Sequence, residues 1–537
     1  MIKAFVLATA LALASAGAAT AQDAVRGNLG ASDPDQWGPI LPPSPSFGGQ
    51  EAYERGDYAE AVRLWRIAAD QGDAEAQKRL GWSYADGKGV PKDDAEAVRW
   101  YRMAADQGLA EAQHNLGFMY DEGRGVPRNL AEAVRWYRMA ADQGVADSQF
   151  NLGLMYAKGQ GVPQNDAEAV RWYRMAADQG DADSQFDLGS SYANGRGVPQ
   201  NDAEAARWYR MAAEQGYAAA QLQVGVSYQL GRGVPKNDAE AARWYRMAAD
   251  QGNAAAQFNL GSSYANGSGS PQNDAEAVRW YRLAADQGYA VAQLIIGLWY
   301  ELGRGVPRND AEAARWYRMA ADQGVALAQY NLGVMHANGR GVPKNDAEAA
   351  RWYRMAADQG NASAQTSLGF MYTNGRGIPQ NYVEAVRWYQ MAADQGDAVA
   401  QTNLGFMYDN GQGVPKNDAE AVRLYRMAAD QGLTVAQTNL GIAYALGRGI
   451  PQNFAEAVRW YRLAADQGEQ QAQLNLGFMY GTGKGVPQNY VEAYKWYALS
   501  AAQGNAMAVT NRDLVLDQMT PAQIAEAQRL AAAWQPR

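Results

Sequence analysis

Residues 109–144 read LAEAQHNLGFMYDEGRGVPRNLAEAVRWYRMAADQG, and this stretch decides the fold. From Ala110 to Asp121 the residues Ala112, Gln113, Leu116, Gly117 and Tyr120 fall on one face at helical spacing. Gly123 stands where a left-handed cap ends such a helix. After the loop Gly123-Arg124-Gly125-Val126-Pro127-Arg128, Asn129 is placed to cap a second helix, and Glu132 three residues on predicts a capping box. The second helix would bury Ala133, Trp136, Tyr137, Ala140 and Ala141 and stop at Gly144. Arg135 and Arg138 then face outward, with Glu132 spaced to pair with Arg135.

The same unit recurs along the chain. The closing Gly falls at 72, 108, 144 and onward to 504, with every interval 36 residues and no insertion. The cap position is Asn or Asp from Asp93 to Asn489. One hairpin cannot cover its own apolar faces, so neighbours in phase must stack, burying each Trp-Tyr pair against the next unit's Leu-Gly and Tyr positions. The fold expected is all-α: an α-solenoid of about twelve 36-residue helical hairpins over residues 73–504. Residues 49–72 read as a degenerate first hairpin, with Tyr53, Gly56 and Trp65 in roughly the usual places. Residues 505–537 read as capping helices, because Asn511-Arg512-Asp513 replaces the usual Asn-Leu-Gly and ends the stack on a polar face.

The N-terminus carries an export pattern. Lys3, the apolar run Ala4 to Ala16 and the Ala19-Thr20-Ala21 site predict a signal peptide over 1–21, too short for a transmembrane anchor. Cleavage near Ala21 would place the protein in the periplasm or the medium. Residues 22–48, with Pro42-Pro43-Ser44-Pro45, read as a Pro-rich flexible leader of partly polyproline type. A net charge of -9 with no basic tract argues against nucleic acid and anionic membranes as partners, and no later segment is apolar enough for membrane insertion. The absence of cysteine removes disulfides, thiolate chemistry and Cys-ligated zinc.

The repeating unit A-x-A-Q-x-x-L-G-x-x-Y-x-x-G-x-G-V-P, then N-x-x-E-A-x-x-W-Y-x-x-A-A-x-Q-G, resembles the Sel1-like repeat family, relatives of tetratricopeptide repeats. The resemblance covers residues 73–504 and, more weakly, both flanks. It implies a right-handed superhelix whose first helices line a concave surface, working as an adaptor. Bacterial relatives include periplasmic regulators of exopolysaccharide signalling, secretion-complex scaffolds and proteins that bind cell-wall enzymes. Some cysteine-rich relatives carry a penicillin-binding or β-lactamase label, but this chain has neither their cysteines nor S-x-x-K, S-D-N or K-T-G.

No constellation carries chemistry. Gly123-Arg124-Gly125 lacks the third Gly and the P-loop Lys-Ser/Thr, so loop geometry explains it. His336 takes a Tyr phase and should be packed, while His114 should lie at the surface. Gln77 and its equivalents to Gln473 should hydrogen-bond a neighbouring backbone group. Asp106 and its equivalents sit against the helix dipole, a cost offset if each caps the following first helix. Asp147, Asp183 and Asp187 are the acidic candidates for a cell-wall hydrolase, but resemble solvated helix charges. No metal or cofactor is expected.

The positions that vary along the array are the candidates for partner binding. The phase of Lys78 runs through Phe150, Phe186, Leu222, Phe258, Leu294 and Tyr330, then Thr366, Thr402 and Thr438. The phase of Trp82 adds Leu154, Val226, Leu298 and Val334. These residues either complete the core between helices or form an apolar groove for a protein or peptide. The three threonines favour a groove, since a core position should not accept them freely. The sequence therefore predicts a non-enzymatic periplasmic adaptor that binds a protein partner, with envelope or exopolysaccharide regulation as a setting. The alternatives are a polysaccharide or peptidoglycan binder, or a cell-wall hydrolase.

Overall fold

A computed structural model describes residues 45–536. The expected signal peptide and the leader up to residue 44 lie outside the described residues. Those described form 28 α-helices, from Pro45–Glu54 to Pro521–Ala533, with no strand among them. Extensive contacts join helices adjacent in the chain, which makes the fold a solenoid of helical hairpins. The helices divide into an N-terminal unit ending at Tyr289 and a C-terminal unit starting at Ala290. The helix Pro45–Glu54 begins inside the segment read as leader, so the first hairpin includes residues 45–48 as well. Pro45 is its first residue, the position where a missing N–H leaves no helical bond unmade.

The hairpin of helices Ala110–Glu122 and Leu130–Asp142 shows how each unit is built. Gly123 is left-handed at φ 70° and ends the first helix. Asn129 caps the second by accepting from the Glu132 N–H at 3.2 Å. The reciprocal half of the expected capping box is absent. The Asn129 N–H is committed to the Tyr120 carbonyl at 2.9 Å, which closes the loop, and Glu132 pairs outward with Arg135 at 3.6 Å. Gly125, at φ 68°, is needed for a different reason: a Cβ there would overlap the Asp94 carbonyl of the preceding hairpin. The repeated Gly-x-Gly is thus a cap followed by a point of inter-hairpin contact.

Packing splits the Trp-Tyr pair. Neighbouring residues on a helix point about 100° apart. Trp136 turns back into the cluster of Tyr101, Ala105, Leu116 and Met119. Tyr137 turns forward onto Leu152 and Met155 of the next hairpin. Both had been expected on the next unit; the helical angle sends one each way, so each second helix joins two core layers. Gly117 makes room for Tyr137, whose Cδ1 would lie 2.8 Å from a Cβ at that position.

The buried glutamines form a relay. Gln113 donates to the Ala105 carbonyl at 3.1 Å, and its own carbonyl accepts from Gln143 at 2.8 Å. The backbone bond matches the expectation, and the Gln-Gly stop supplies the second partner. Asp106 does not cap the following helix: it is exposed, and that helix starts at Leu109 without a side-chain cap. Where such a cap exists, the residue immediately after the turn Gly makes it, as Asp181, Asn361 and Asp397 do. That residue sits at the N-cap itself, so a side chain three positions earlier has nothing left to satisfy. At the C-terminal end, helix Pro521–Ala533 folds back onto Tyr490–Ala502, and Trp534 meets Trp496 edge-on at 6.4 Å.

Candidate binding surface

The residues read as a groove strip lie between hairpins. In the N-terminal unit Phe258 is 1% exposed, with its ring 5.4 Å from Tyr281 and 5.5 Å from Tyr289, and Leu222 is buried too. Phe150 and Phe186 are half-buried against Tyr173 and Tyr209 at 6.1 and 5.6 Å. In the C-terminal unit Leu294 is buried and Tyr330 is half-buried against Tyr353 at 5.8 Å. Leu154, Val226, Leu298 and Val334 are half-buried as well. For the phase of Lys78 the expectation of an open apolar strip is corrected: the side chain following the buried Gln packs against the next hairpin, whereas Leu154, Val226, Leu298 and Val334, in the phase of Trp82, keep part of their surface. Two of the three threonines fit that position because Thr402 and Thr438 donate their hydroxyls to the carbonyls of Ala398 and Thr434, at 2.8 and 3.0 Å, while Thr366 makes no such bond. A hydroxyl satisfied within its own helix loses most of the penalty for burial.

The phase of Trp82 is more open toward the C-terminal end. In the C-terminal unit five successive first helices, Ala362–Asn374, Ala398–Asn410, Thr434–Leu446, Gln470–Thr482 and Ala506–Leu516, carry it. Phe370, Phe406, Phe478 and Leu514 recur in one phase and are exposed, Phe406 by 48%, with Ile442 half-buried between them. Seven residues earlier on the same helix faces stand Val399, Val435 and Met507, also exposed. Between the two rows lie Asn403, Asn439, Asn475 and Asn511. Three of these helices, Ala398–Asn410, Thr434–Leu446 and Ala506–Leu516, therefore show an amide flanked by apolar side chains. The four first helices between Ala362 and Thr482 contain a single charged residue, Asp409.

Two hollows open on this face. The larger, about 310 Å³, is walled by Tyr353, Thr366, Phe370, Arg376, Val399 and Asn403. Arg376 is held there by Asp346 at 3.0 and 3.3 Å. The Thr366 hydroxyl is buried without a partner. The smaller, 130 Å³, lies among Phe406, Tyr425, Asn439, Ile442 and Arg448. No side-chain hydrogen bond engages Asn403 or Asn439 among the described residues. Free amides beside apolar rings offer both a donor and an acceptor to a bound chain. The sequence contains the signal for this face. Read for Phe rather than for any apolar residue, the Trp82 phase leads to Phe118 in the N-terminal unit and to Phe370, Phe406 and Phe478 in the C-terminal unit, all exposed.

The other sequence candidates resolve individually. His336 is buried with both ring nitrogens unpartnered, as a packed residue. His114 is not at the surface: its Nδ1 lies 2.8 Å from Ser148 Oγ and its ring packs on Tyr137, because this phase faces the next hairpin. Burial pushes its pKa down. Asp183 accepts a hydrogen bond from the Tyr217 hydroxyl. Burial pushes the Asp187 carboxyl up to about 7, with the charge of Asp183 adding to the effect, Lys158 opposing it and Asp181 adding slightly. Asp187 occupies the phase that holds Asn115, Asn151 and Asn259 in other repeats.

That shift has a measurable consequence. The folded chain keeps its proton above the ordinary value of 3.8, up to about 7. Stability from this residue is complete below pH 4 and declines as pH rises to 7, because the unfolded chain releases the proton first. Asp187→Asn should raise the melting temperature at pH 8 and leave it unchanged at pH 4, as measured by circular dichroism. Equal shifts at both values would reject burial as the cause.

The Sel1 repeat profile matches thirteen consecutive segments, from 46–73 to 470–505. The chain belongs to the Sel1 repeat family. The first hairpin, read as degenerate, is included in the match. A solved structure with 36% identity and a TM-score of 0.77 covers 81% of this chain and 94% of its own: a protective antigen present in uropathogenic Escherichia coli strains, with an SLR fold. A Sel1 repeat protein from Oxalobacter formigenes is 32% identical over 63% of this chain and 98% of its own, with a TM-score of 0.49. No curated protein matches. The Sel1 array is thus of the scaffold type. Among the described residues no helix is long and apolar enough to cross a membrane.

Proposed function

We propose that this Sel1 repeat protein is an exported, non-enzymatic adaptor that holds an extended segment of a partner protein on the first helices of its C-terminal unit. One observation carries the reading: the exposed Phe370, Phe406 and Phe478, in one phase of the 36-residue repeat with Ile442 between the last two, near asparagines and with few charges. The row crosses five successive first helices, a span on the order of 40 Å if they lie about 10 Å apart. At about 3.3 Å per residue an extended strand of about twelve residues spans it. Apolar side chains would enter between helices while the asparagines meet backbone amides and carbonyls. A glycan would be better served by exposed Trp, but the tryptophans of the second helices, such as Trp352 and Trp388, are buried. The export pattern of residues 1–21 supports a partner in the cell envelope.

The test is capture from envelope extracts with the parent chain and with a Phe370→Ser, Phe406→Ser, Phe478→Ser variant. All three side chains are exposed, so helicity should persist, and the protein retained by the parent should drop by about tenfold or more. Equal recovery by both chains would refute the surface, and recovery of a glycan instead of a protein would favour a polysaccharide binder.

A further inference from the structure

Methionine recurs in two rows of the 36-residue repeat, and the rows stand in opposite surroundings. One row lies on the first helices and is buried: Met119 and Met155 in the N-terminal unit, Met371, Met407 and Met479 in the C-terminal unit, with Met119 only 1% exposed. The other lies on the second helices and is open to solvent. It comprises Met103, Met139, Met175 and Met247 in the N-terminal unit and Met355, Met391 and Met427 in the C-terminal unit, with Met139 38% exposed. We infer that this exposed row is a modification site, where a peroxide converts thioether to sulfoxide reversibly while the hairpins stay folded. The row is separate from the phenylalanines of the first helices, so the inference does not rest on the adaptor reading.

Three observations support it. The first is that packing does not require sulfur at this phase. Leu283 and Leu463 stand there in two repeats and are exposed to a similar degree, so a hydrocarbon side chain serves the contact equally. What methionine adds is a nucleophilic sulfur, and in a chain without cysteine it is the only kind a two-electron oxidant meets. The second is an arginine four residues before each exposed methionine, as Arg99 before Met103 and Arg135 before Met139. That spacing places both on one helix face. Arg423 Nη1 donates to Met427 Sδ at 3.1 Å. A thioether accepts weakly and a sulfoxide oxygen strongly, so the oxidised product finds a donor already in place. The third is the buried row. Met119 shares a cluster with Tyr101 and Leu116, and Met371 one with Leu368 and Trp388. Oxygen added there would bury an unpaired polar group, so only the exposed row can be oxidised without unfolding.

The step balances with hydrogen peroxide as the oxidant. A sulfur lone pair attacks one peroxide oxygen, and the S–O bond forms as the O–O bond breaks. The displaced hydroxide takes the proton of the transferred oxygen and leaves as water. Sulfur loses two electrons and the peroxide gains them. Access governs the rate, since peroxide reaches a buried sulfur only when its hairpin opens. Two-electron reduction of the sulfoxide returns the thioether and completes the cycle.

Hydrogen peroxide added to the whole chain, with oxidation followed site by site by mass spectrometry of proteolytic fragments, tests the inference. Met139, Met175 and Met391 should gain oxygen at least about tenfold faster than Met119, Met155 and Met371. When the exposed row is half-oxidised, helical circular dichroism should be unchanged, and methionine sulfoxide reductases of both stereospecificities should remove the oxygen. Met427→Leu should abolish uptake at that site and keep the parent's melting temperature, in line with Leu283 and Leu463. Equal rates in the two rows would overturn the inference. So would loss of helicity before the exposed row is half-oxidised, or sulfoxides that the reductases leave in place.

Discussion

Gly341→Ala should lower the melting temperature far more than the same change at Gly360. Both glycines have positive φ, 68° and 88°. Each substitution therefore carries the left-handed penalty of about 1–2 kcal/mol. Their surroundings decide the rest. Nothing lies within 4 Å of a Cβ at Gly360, whereas at Gly341 it would overlap the Asp310 carbonyl and stand 2.7 Å from the Ala311 nitrogen. That backbone is the first turn of helix Asp310–Asp322, capped by Asn309 through Ala311 N and Glu312 N. It cannot recede without breaking the cap. The total loss should be on the order of 3–5 kcal/mol, in the range reserved for core and backbone failures. Stability in a repeat array depends on neighbour contacts, so Gly341→Ala should also split the thermal transition in two. A single transition shifted no more than that of Gly360→Ala would count against this account.

Trp388 provides the second large effect. It is 5% exposed and belongs to the cluster of Tyr353, Ala357, Leu368 and Met371. Trp388→Ala should cost about 3–5 kcal/mol, because the hole cannot close between two helices already in contact. Trp388→Leu should cost distinctly less. The next repeat supports this, since Leu424 fills the same phase at 1% exposure. The chemistry also supports it, since the Trp388 indole N–H is buried without a partner. Leucine removes that unmet donor, worth about 1–3 kcal/mol, along with part of the apolar area. Urea denaturation of the parent and both variants measures the order, and equal losses would show that the indole N–H imposes no cost.

Much of this molecule was readable without coordinates. The 36-residue spacing of Gly108, Gly144 and their successors determined helix number, hairpin phase and turn positions. Local rules suffice there. Gly at a left-handed cap and Asn at an N-cap act within a few residues of themselves. The buried faces followed from the 3.6-residue period, and Ala112, Leu116 and Trp136 are buried where that period puts them. Departures appeared wherever a residue chose between two partners distant in sequence. Asn129 gave its N–H to Tyr120, Trp136 turned back while Tyr137 turned forward, and His114 met Ser148 of the next hairpin.

The binding surface shows the same division. The sequence by itself determined that the varying positions lie on the first helices, in the phases of Lys78 and Trp82. It could not rank them, because helical periodicity specifies an angle about one axis and not what stands opposite. Only the tertiary structure decided that Phe258 is covered by Tyr281 and Tyr289 while Phe406 is left open. The two phenylalanines sit in neighbouring phases of equivalent helices, and the one that follows the buried Gln meets the adjacent hairpin. Exposure is a property of that stacking contact, set by side chains about twenty to thirty residues away.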